Sequence, residues 1–381
     1  MDFTLDEEQQ AVEDLSGRLL RDATTMERLR EIEDTGADGG TPDFDRKLWA
    51  SLAEAGLLGV TIPESLDGLG LGTVALAALL EQVGRYVAPV PAVAVLGFGV
   101  PALTEYGTAE QQQAILPGVQ AGETIITAAL VEANGDPLQP RTTARRSGEG
   151  WVLDGEKTCV PAGLWADHIV VSAATDDGSA LFLVPADASG VERERQDTVS
   201  YVPEALVRLS GVQVGADALL GGTDGSAVAG LVAHATVALS ATAIGVCETA
   251  IKLTSDYVTS REQFGHALAA FQAVRQRLAD SFIDTAAIRL TTTEAAWRLQ
   301  EKLPADKEVA VAKLYASMGG RRVVRAAAHL HGGMGVDRTY PLHRYYVWAK
   351  QLELSLGSVS KQERILGKLL ADEVLAGAGA P

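Results

Sequence analysis

The stretch from residue 226 to residue 260 constrains this chain more than any other: it is rich in alanine and contains no proline. Alanine is the best helix former and proline the worst, so the stretch reads as one helix of about 50 Å at 1.5 Å per residue. Such a helix needs partners of similar length to cover it. The chain supplies them in residues 271–302 and 306–330, separated at Pro304, and in a last helical stretch over 360–375. Long helices joined by short connections pack as an antiparallel bundle.

Upstream the pattern differs. Through about residue 122 it is helical, beginning at Thr4-Leu5-Asp6-Glu7, which has the order of a capping box. Apolar residues recur at three-to-four spacing in Leu48, Leu52 and Leu57, and again in Leu76, Leu79, Leu80 and Val83. The run Gly68-Leu69-Gly70-Leu71-Gly72 lacks the dinucleotide-loop spacing and follows Pro63 rather than a strand, so it reads as a turn between helices. From residue 124 short β-rich runs take over, at 151–153, 168–172, 181–184 and 207–212, with Asp154-Gly155 and Asp177-Gly178 as hairpin signals. The expected fold is mainly α with a β middle domain. It comprises an N-terminal helical domain over 1–123, an antiparallel β barrel or sandwich over 124–222, and a C-terminal four-helix bundle over 223–381.

Composition narrows the function classes. Hydrophobic residues make up 47% and charged residues 22%, the balance of a globular protein, and the net charge of -18 repels nucleic acid and anionic membranes. An anionic ligand therefore needs local Arg side chains or backbone N–H donors set against the overall field. Cys159 and Cys247 cannot build a disulfide framework, and no basic segment followed by an apolar one opens the chain, so a cytoplasmic location is expected. No uncharged apolar run is expected to reach the ~20 residues of a membrane span.

The order of helical, β and bundle segments, together with several local strings, resembles the acyl-CoA dehydrogenases. The opening through Gln9, the turn Ile62-Pro63-Glu64 and the string Gly155-Glu156-Lys157 match family landmarks. Arg261-Glu262-Gln263-Phe264-Gly265, followed by Phe271-Gln272, resembles the Arg-x-x-Phe-Gly and Gln pair that grip the FAD pyrophosphate of a neighbouring subunit. His329-Leu330-His331-Gly332-Gly333-Met334-Gly335 resembles the Gly-Gly-x-Gly turn that approaches the same FAD. The resemblance thus implies cofactor contacts from Arg261, Phe264, Gln272, His329, Gly332 and Gly333. The chemistry suits them, since a guanidinium fork matches phosphate oxygens and glycine lets a backbone come close. The plainer reading of Arg261 and Gln272 is an Arg closing a helix end and a Gln on a solvated face. His329 and His331 have no Asp, Glu or Cys cluster beside them, so no metal is expected.

In this family a Glu carboxylate removes the α-proton of an acyl-CoA while the β-hydrogen leaves as hydride to the flavin. Matching Gly332-Gly333, Pro341, Arg344, Tyr346 and Lys350 without gaps puts Leu356 at the usual position of that Glu, and the alternative position on the long helix falls at Ala235. Neither side chain accepts a proton, so the resemblance implies no catalytic residue in this chain. Glu353 and Asp337 are the nearby carboxylates that a relocated base would use. Contacts to the chain's own flavin ring are altered as well: the family's Thr-Glu-Pro...Gly-Ser-Asp loop is here Val131-Glu132-Ala133-Asn134-Gly135-Asp136, and its Trp-Ile-Thr strand is Cys159-Val160-Pro161.

Own-site contacts are thus degraded while residues serving a neighbour's flavin are kept. That combination resembles the base-lacking subunit of actinobacterial heterotetrameric (two plus two) acyl-CoA dehydrogenases, several of which act on CoA esters of sterol side chains. The string His331 to Asp337, with Pro341-Leu342-His343-Arg344-Tyr345 after it, adds to the match. This resemblance implies FAD as cofactor, a Glu-bearing partner subunit, an acyl-CoA substrate from steroid degradation, and an electron-transfer flavoprotein or similar acceptor. The competing readings are a homotetrameric dehydrogenase with a relocated base, a flavin monooxygenase on the same fold, and a binding subunit that touches no flavin. Retention of Arg261, Phe264 and Gln272 argues against the last.

Overall fold

A computed structural model of the protein describes residues 3–35, 43–200 and 202–378. Its backbone groups into two compact units, one of residues 6–79 and 89–235, the other of 1–5, 80–88 and 236–381.

The first unit opens with the helices Glu7–Ala23, Met26–Asp34 and Arg46–Glu54. The first is capped by Asp6 rather than Thr4: Asp6 accepts from Gln9 N at 2.8 Å and Gln9 Oε1 accepts from Asp6 N at 3.1 Å. The box therefore sits two residues later than the sequence suggested. An ionised carboxylate accepts more strongly than a hydroxyl and also favours the positive end of the helix dipole. The helical segment Ala92–Tyr106 contains a π turn over Val95–Gly99. A Cβ on Gly99 would lie 2.4 Å from the Ile126 carbonyl oxygen, so only glycine allows this helix to lie so close to the sheet.

The sheet has eight strands: β1 (Ile126–Ala129), β2 (Thr143–Ser147), β3 (Gly150–Pro161), β4 (His168–Thr175), β5 (Gly178–Pro185), β6 (Val191–Gln196), β7 (Glu204–Val214) and β8 (Leu219–Leu220). Their order is β6-β7-β3-β2-β4-β5-β8, with β1 on β4. Most pairs are antiparallel as expected, but β1 and β2 each pair parallel with β4. The β2–β3 hairpin inserted between β1 and β4 supplies the long crossover that a parallel pair requires. The Asp177-Gly178 signal falls at the β4–β5 hairpin, whereas Asp154-Gly155 lies inside β3, at a register shift against β7. Gly155 has φ 152 there, and an added Cβ would sit 2.6 Å from Thr142 Oγ1, so this glycine marks a bulge instead of a turn.

The second unit is built on the long helix, which runs over Ser226–Ser260 and enters this unit at Thr236. Gln272–Gln300, Asp306–His331 and Val359–Ala378 follow, and Asp306–His331 packs on both of the others. A further helix, Leu342–Leu354, was not read from the sequence. Contrary to the membrane expectation, Ser226–Ser260 is long and apolar enough to span a bilayer by length and composition, with 72% of its most apolar window buried inside the protein. Its apolarity serves packing. Gly84 and Gly245 allow a close helix crossing, since a Cβ on either would lie 2.0 Å from Thr242 O and 1.9 Å from Glu81 O respectively. Beside that crossing Arg85 and Arg289 bracket Glu81 and Glu248 in a closed ion network, with N–O distances of 2.5–2.6 Å.

Candidate functional site

The motif residues that follow the long helix form a defined loop. Arg261 N donates to Tyr257 O at 2.8 Å, completing the helix, and Arg261 O accepts from Leu268 N at 2.8 Å. Between them Glu262–Gln263 and His266–Ala267 pair as a small hairpin, turned through Phe264 (φ 54) and Gly265 (φ 79). Consecutive positive φ values are those of a type I′ turn, which suits glycine but strains a phenylalanine. Phe264 is 88% exposed and meets Phe271 edge-on at 6.2 Å. Phe271 then starts the helix Gln272–Gln300 without a side-chain cap, leaving Gln272 and the first amide donors at a helix N-terminus. Arg261 is exposed and its side chain has no hydrogen bond or ion pair among the described residues. An exposed guanidinium, a Gln amide and a helix N-terminus within one loop suit a pyrophosphate.

At the end of Asp306–His331 the three glycines play different parts. Gly332 has φ 59 and ψ -135, a region that essentially only glycine enters, and its N–H donates to His329 O. A Cβ on Gly332 or Gly333 would meet nothing within 4 Å, while one on Gly335 would lie 2.5 Å from Ala328 O. Gly335 is therefore a packing glycine, and the 332–333 backbone is an open cradle that side chains would fill. His329 is exposed in the last helical turn.

The structure also brings the two motifs together. Tyr257 stacks on His331 with ring centroids 4.4 Å apart and planes at 23°. His331 in turn lies 2.8 Å from Ala327 O through Nδ1 and 3.2 Å from the Tyr340 hydroxyl through Nε2. Tyr257 precedes Arg261 by one helical turn and His331 directly precedes Gly332. The sequence reading missed Tyr257 and Tyr340, and the spacing of Tyr257 to Arg261 was the one available signal.

Neither position where the family resemblance expects the base carries a carboxylate. Leu356 is 7% exposed with φ 55, and Ala235 is fully buried. The carboxylates considered for relocation are engaged: Glu353 is buried and lies 3.1 Å from Lys350 Nζ and 3.8 Å from Arg321, and Asp337 accepts from Thr339 N and Oγ1, both at 2.8 Å. Those Thr339 hydrogen bonds hold the Asp337 carboxyl below its usual range, so it is a poor proton acceptor. Beneath the Leu356 loop, Lys313 is fully buried and donates to Leu352 O, and burial pushes it down to about 7.

The loop over 131–136 is pinned from within. Glu132 accepts from Lys157 Nζ at 2.8 Å, Arg141 N at 2.8 Å, Thr142 N at 2.9 Å and Thr142 Oγ1 at 2.8 Å. Burial alone would raise its pKa, but the Lys157 hydrogen bond and these amides outweigh it and hold the carboxyl at about 2. In the following strand Cys159 sits at φ 52 within a register shift, and its N–H donates to Gln196 Oε1 at 2.8 Å, as does Thr158 Oγ1 at 3.1 Å. Pro161 has no N–H, and its carbonyl accepts from Thr127 Oγ1 at 2.6 Å. The polar groups on this strand are thus largely satisfied inside the protein.

Three family models match: the acyl-CoA dehydrogenase N-terminal domain over residues 6–123, the middle domain over 132–210 and the C-terminal domain over 225–371. The chain is 38% identical to acyl-CoA dehydrogenase FadE27 of Mycobacterium tuberculosis over 381 aligned residues, covering 98% of this chain and 99% of that one. Among solved structures it is similar to the Tcur3481-Tcur3483 steroid ACAD, with TM-score 0.91 and 41% identity over 98% of this chain and 100% of that one. It is also similar to the ChsE4-ChsE5 complex from Mycobacterium tuberculosis, with TM-score 0.91 and 38% identity over 97% of this chain and 99% of that one.

Proposed function

The chain belongs to the acyl-CoA dehydrogenase family, and we propose that it is the base-lacking subunit of a hetero-oligomeric, FAD-dependent member. In this reading it completes the flavin site of a partner chain that carries the catalytic Glu. FAD, when held there, would supply the acceptor for the hydride from the substrate's β-carbon. The observation that carries the proposal is a contrast within one chain. Leu356 and Ala235 occupy the base positions and the neighbouring carboxylates are engaged, yet the Arg261 loop and the open Gly332-Gly333 backbone remain fit for a pyrophosphate.

The roles of this chain's residues follow from their chemistry. Arg261 and the Gln272 amide would hold phosphate oxygens, Phe264 would cover an adenosine edge, and the 332–333 backbone would lie against the phosphates or ribose. A positioned general base contributes ~10² to 10⁴ in rate, so removal of the α-proton requires a carboxylate from elsewhere. The likeness to the ChsE4-ChsE5 complex supports a hetero-oligomer. The likeness to a steroid ACAD supports the CoA ester of a steroid side chain as substrate, and the family reading implies an electron-transfer flavoprotein or similar acceptor as oxidant.

Expression alone and with a Glu-bearing dehydrogenase chain tests the proposal. Alone the protein should be colourless and inactive, and with its partner it should elute as a yellow assembly of both chains. A yellow homotetramer that oxidises an acyl-CoA unaided would overturn it.

A further inference from the structure

We infer that His331 is a positioning residue for the pyrophosphate cradle, joining the Arg261 loop to the Gly332-Gly333 turn through Tyr257 and Tyr340. The inference rests on the reading that these two segments face the phosphates of FAD.

The imidazole is 3% exposed, and its surroundings fix its proton. A carbonyl oxygen only accepts, so the 2.8 Å contact to Ala327 O requires Nδ1 to carry the hydrogen. Burial pushes the His331 pKa below its ordinary value, outweighing the Ala327 and Leu253 carbonyls that raise it, and so favours the neutral ring. Nε2 therefore presents a lone pair, which accepts the Tyr340 O–H at 3.2 Å. The ring face is used as well, stacked on Tyr257 at 4.4 Å.

Each of these contacts leads to one part of the cradle. Tyr257 O accepts the N–H of Arg261 at 2.8 Å, so the peptide that carries the guanidinium hangs from the residue stacked on His331. Gly332 follows His331 directly, and Tyr340 closes the loop beyond the turn through its N–H to Asp337 O at 3.1 Å. Ring rotation at His331 is blocked on one edge by Ala327 and on the other by Tyr340. A leucine would fill this volume but would supply neither polar contact. Charge-assisted bonds to phosphate work at about 2.7–2.9 Å, so a loosened separation between the two segments weakens both at once.

The test is flavin affinity in the purified assembly, read from the fluorescence of free FAD during titration of the apoprotein, for Arg261→Ala, His331→Phe, Tyr340→Phe and the Arg261→Ala/His331→Phe pair. His331→Phe keeps the stack and loses both hydrogen bonds, and Tyr340→Phe removes one hydroxyl with little change in volume. Tyr340→Phe should weaken FAD binding by about five-fold, the effect of one neutral hydrogen bond, and His331→Phe, which loses two, by more. In the Arg261→Ala background the His331→Phe effect should largely disappear, because His331 acts through the loop that Arg261 has ceased to use. A purely structural role would give additive losses instead, and additivity would overturn the inference while leaving the proposed function standing. So would Tyr340→Phe at full affinity. If Arg261→Ala itself leaves FAD affinity unchanged, the pyrophosphate reading fails and this inference fails with it.

Discussion

The Lys157 ammonium lies 2.8 Å from a Glu132 carboxylate oxygen with the lysine fully buried, and Ser172 Oγ accepts a second hydrogen bond from it at 3.0 Å. This pair anchors the loop over 131–136 to β3. Removal of one partner from a buried pair leaves an uncompensated charge, which costs about 3–5 kcal/mol. Lys157→Ala should lower stability to urea by that amount, and Lys157→Ala with Glu132→Gln by clearly less. Equal losses would show that Thr142 and the amides alone satisfy the carboxylate.

The same pair sets a pH dependence. Glu132 falls from 4.5 to about 2 on folding, so its contribution is complete above pH 4.5 and is lost as pH falls toward 2. Lys157 falls from 10.5 to about 8, so the unfolded chain holds the proton longer and this group's contribution rises with pH from 8 to 10.5. Urea midpoints of wild type and the double variant across pH 3–10 check both signs, and parallel curves would count against them.

Leu356→Glu puts a carboxylate where the family resemblance expects the base. No dehydrogenase activity should appear in this chain, since the strand that would face its own flavin ring offers Pro161 without an N–H and a Cys159 amide already bonded to Gln196. Some stability should be lost through a partly buried charge. Single-turnover flavin bleaching by an acyl-CoA would show the reverse if the own-chain site were competent.

Flavin content follows from the same asymmetry. With one competent ring site per pair of unlike chains, an assembly of about four chains should hold two FAD. Absorbance of the released flavin against protein mass decides it, and four tightly bound flavins would mean that Val131 and Pro161 are tolerated at a working site.

The acyl group is tested by kcat/KM of the assembly for a steroid side-chain CoA ester against butyryl-CoA and octanoyl-CoA. The steroid ester should win, and preference for a straight chain would remove the substrate assignment while leaving the division of labour between subunits intact.

Helices with strong local signals were legible in the amino-acid sequence. The Pro-free run at Ser226–Ser260 and the break at Pro304 dictate a set of long helices, because backbone propensity acts within a few residues. The order of segments, the family motifs and the absence of a carboxylate at Leu356 and Ala235 were legible for the same reason. Tertiary context decided what local signals could not. Asp154-Gly155 has the composition of a hairpin turn, yet Thr142 packs against Gly155 and makes it a bulge within β3. The apolar length of Ser226–Ser260 suits a membrane as well as a core, and only its packed neighbours assign it to a core. The Glu132–Lys157 pair and the stack of Tyr257 on His331 join residues 25 and 74 positions apart in the chain. Such contacts depend on strand pairing and helix packing, which bring distant residues within a few ångströms, and no spacing rule within one segment encodes them.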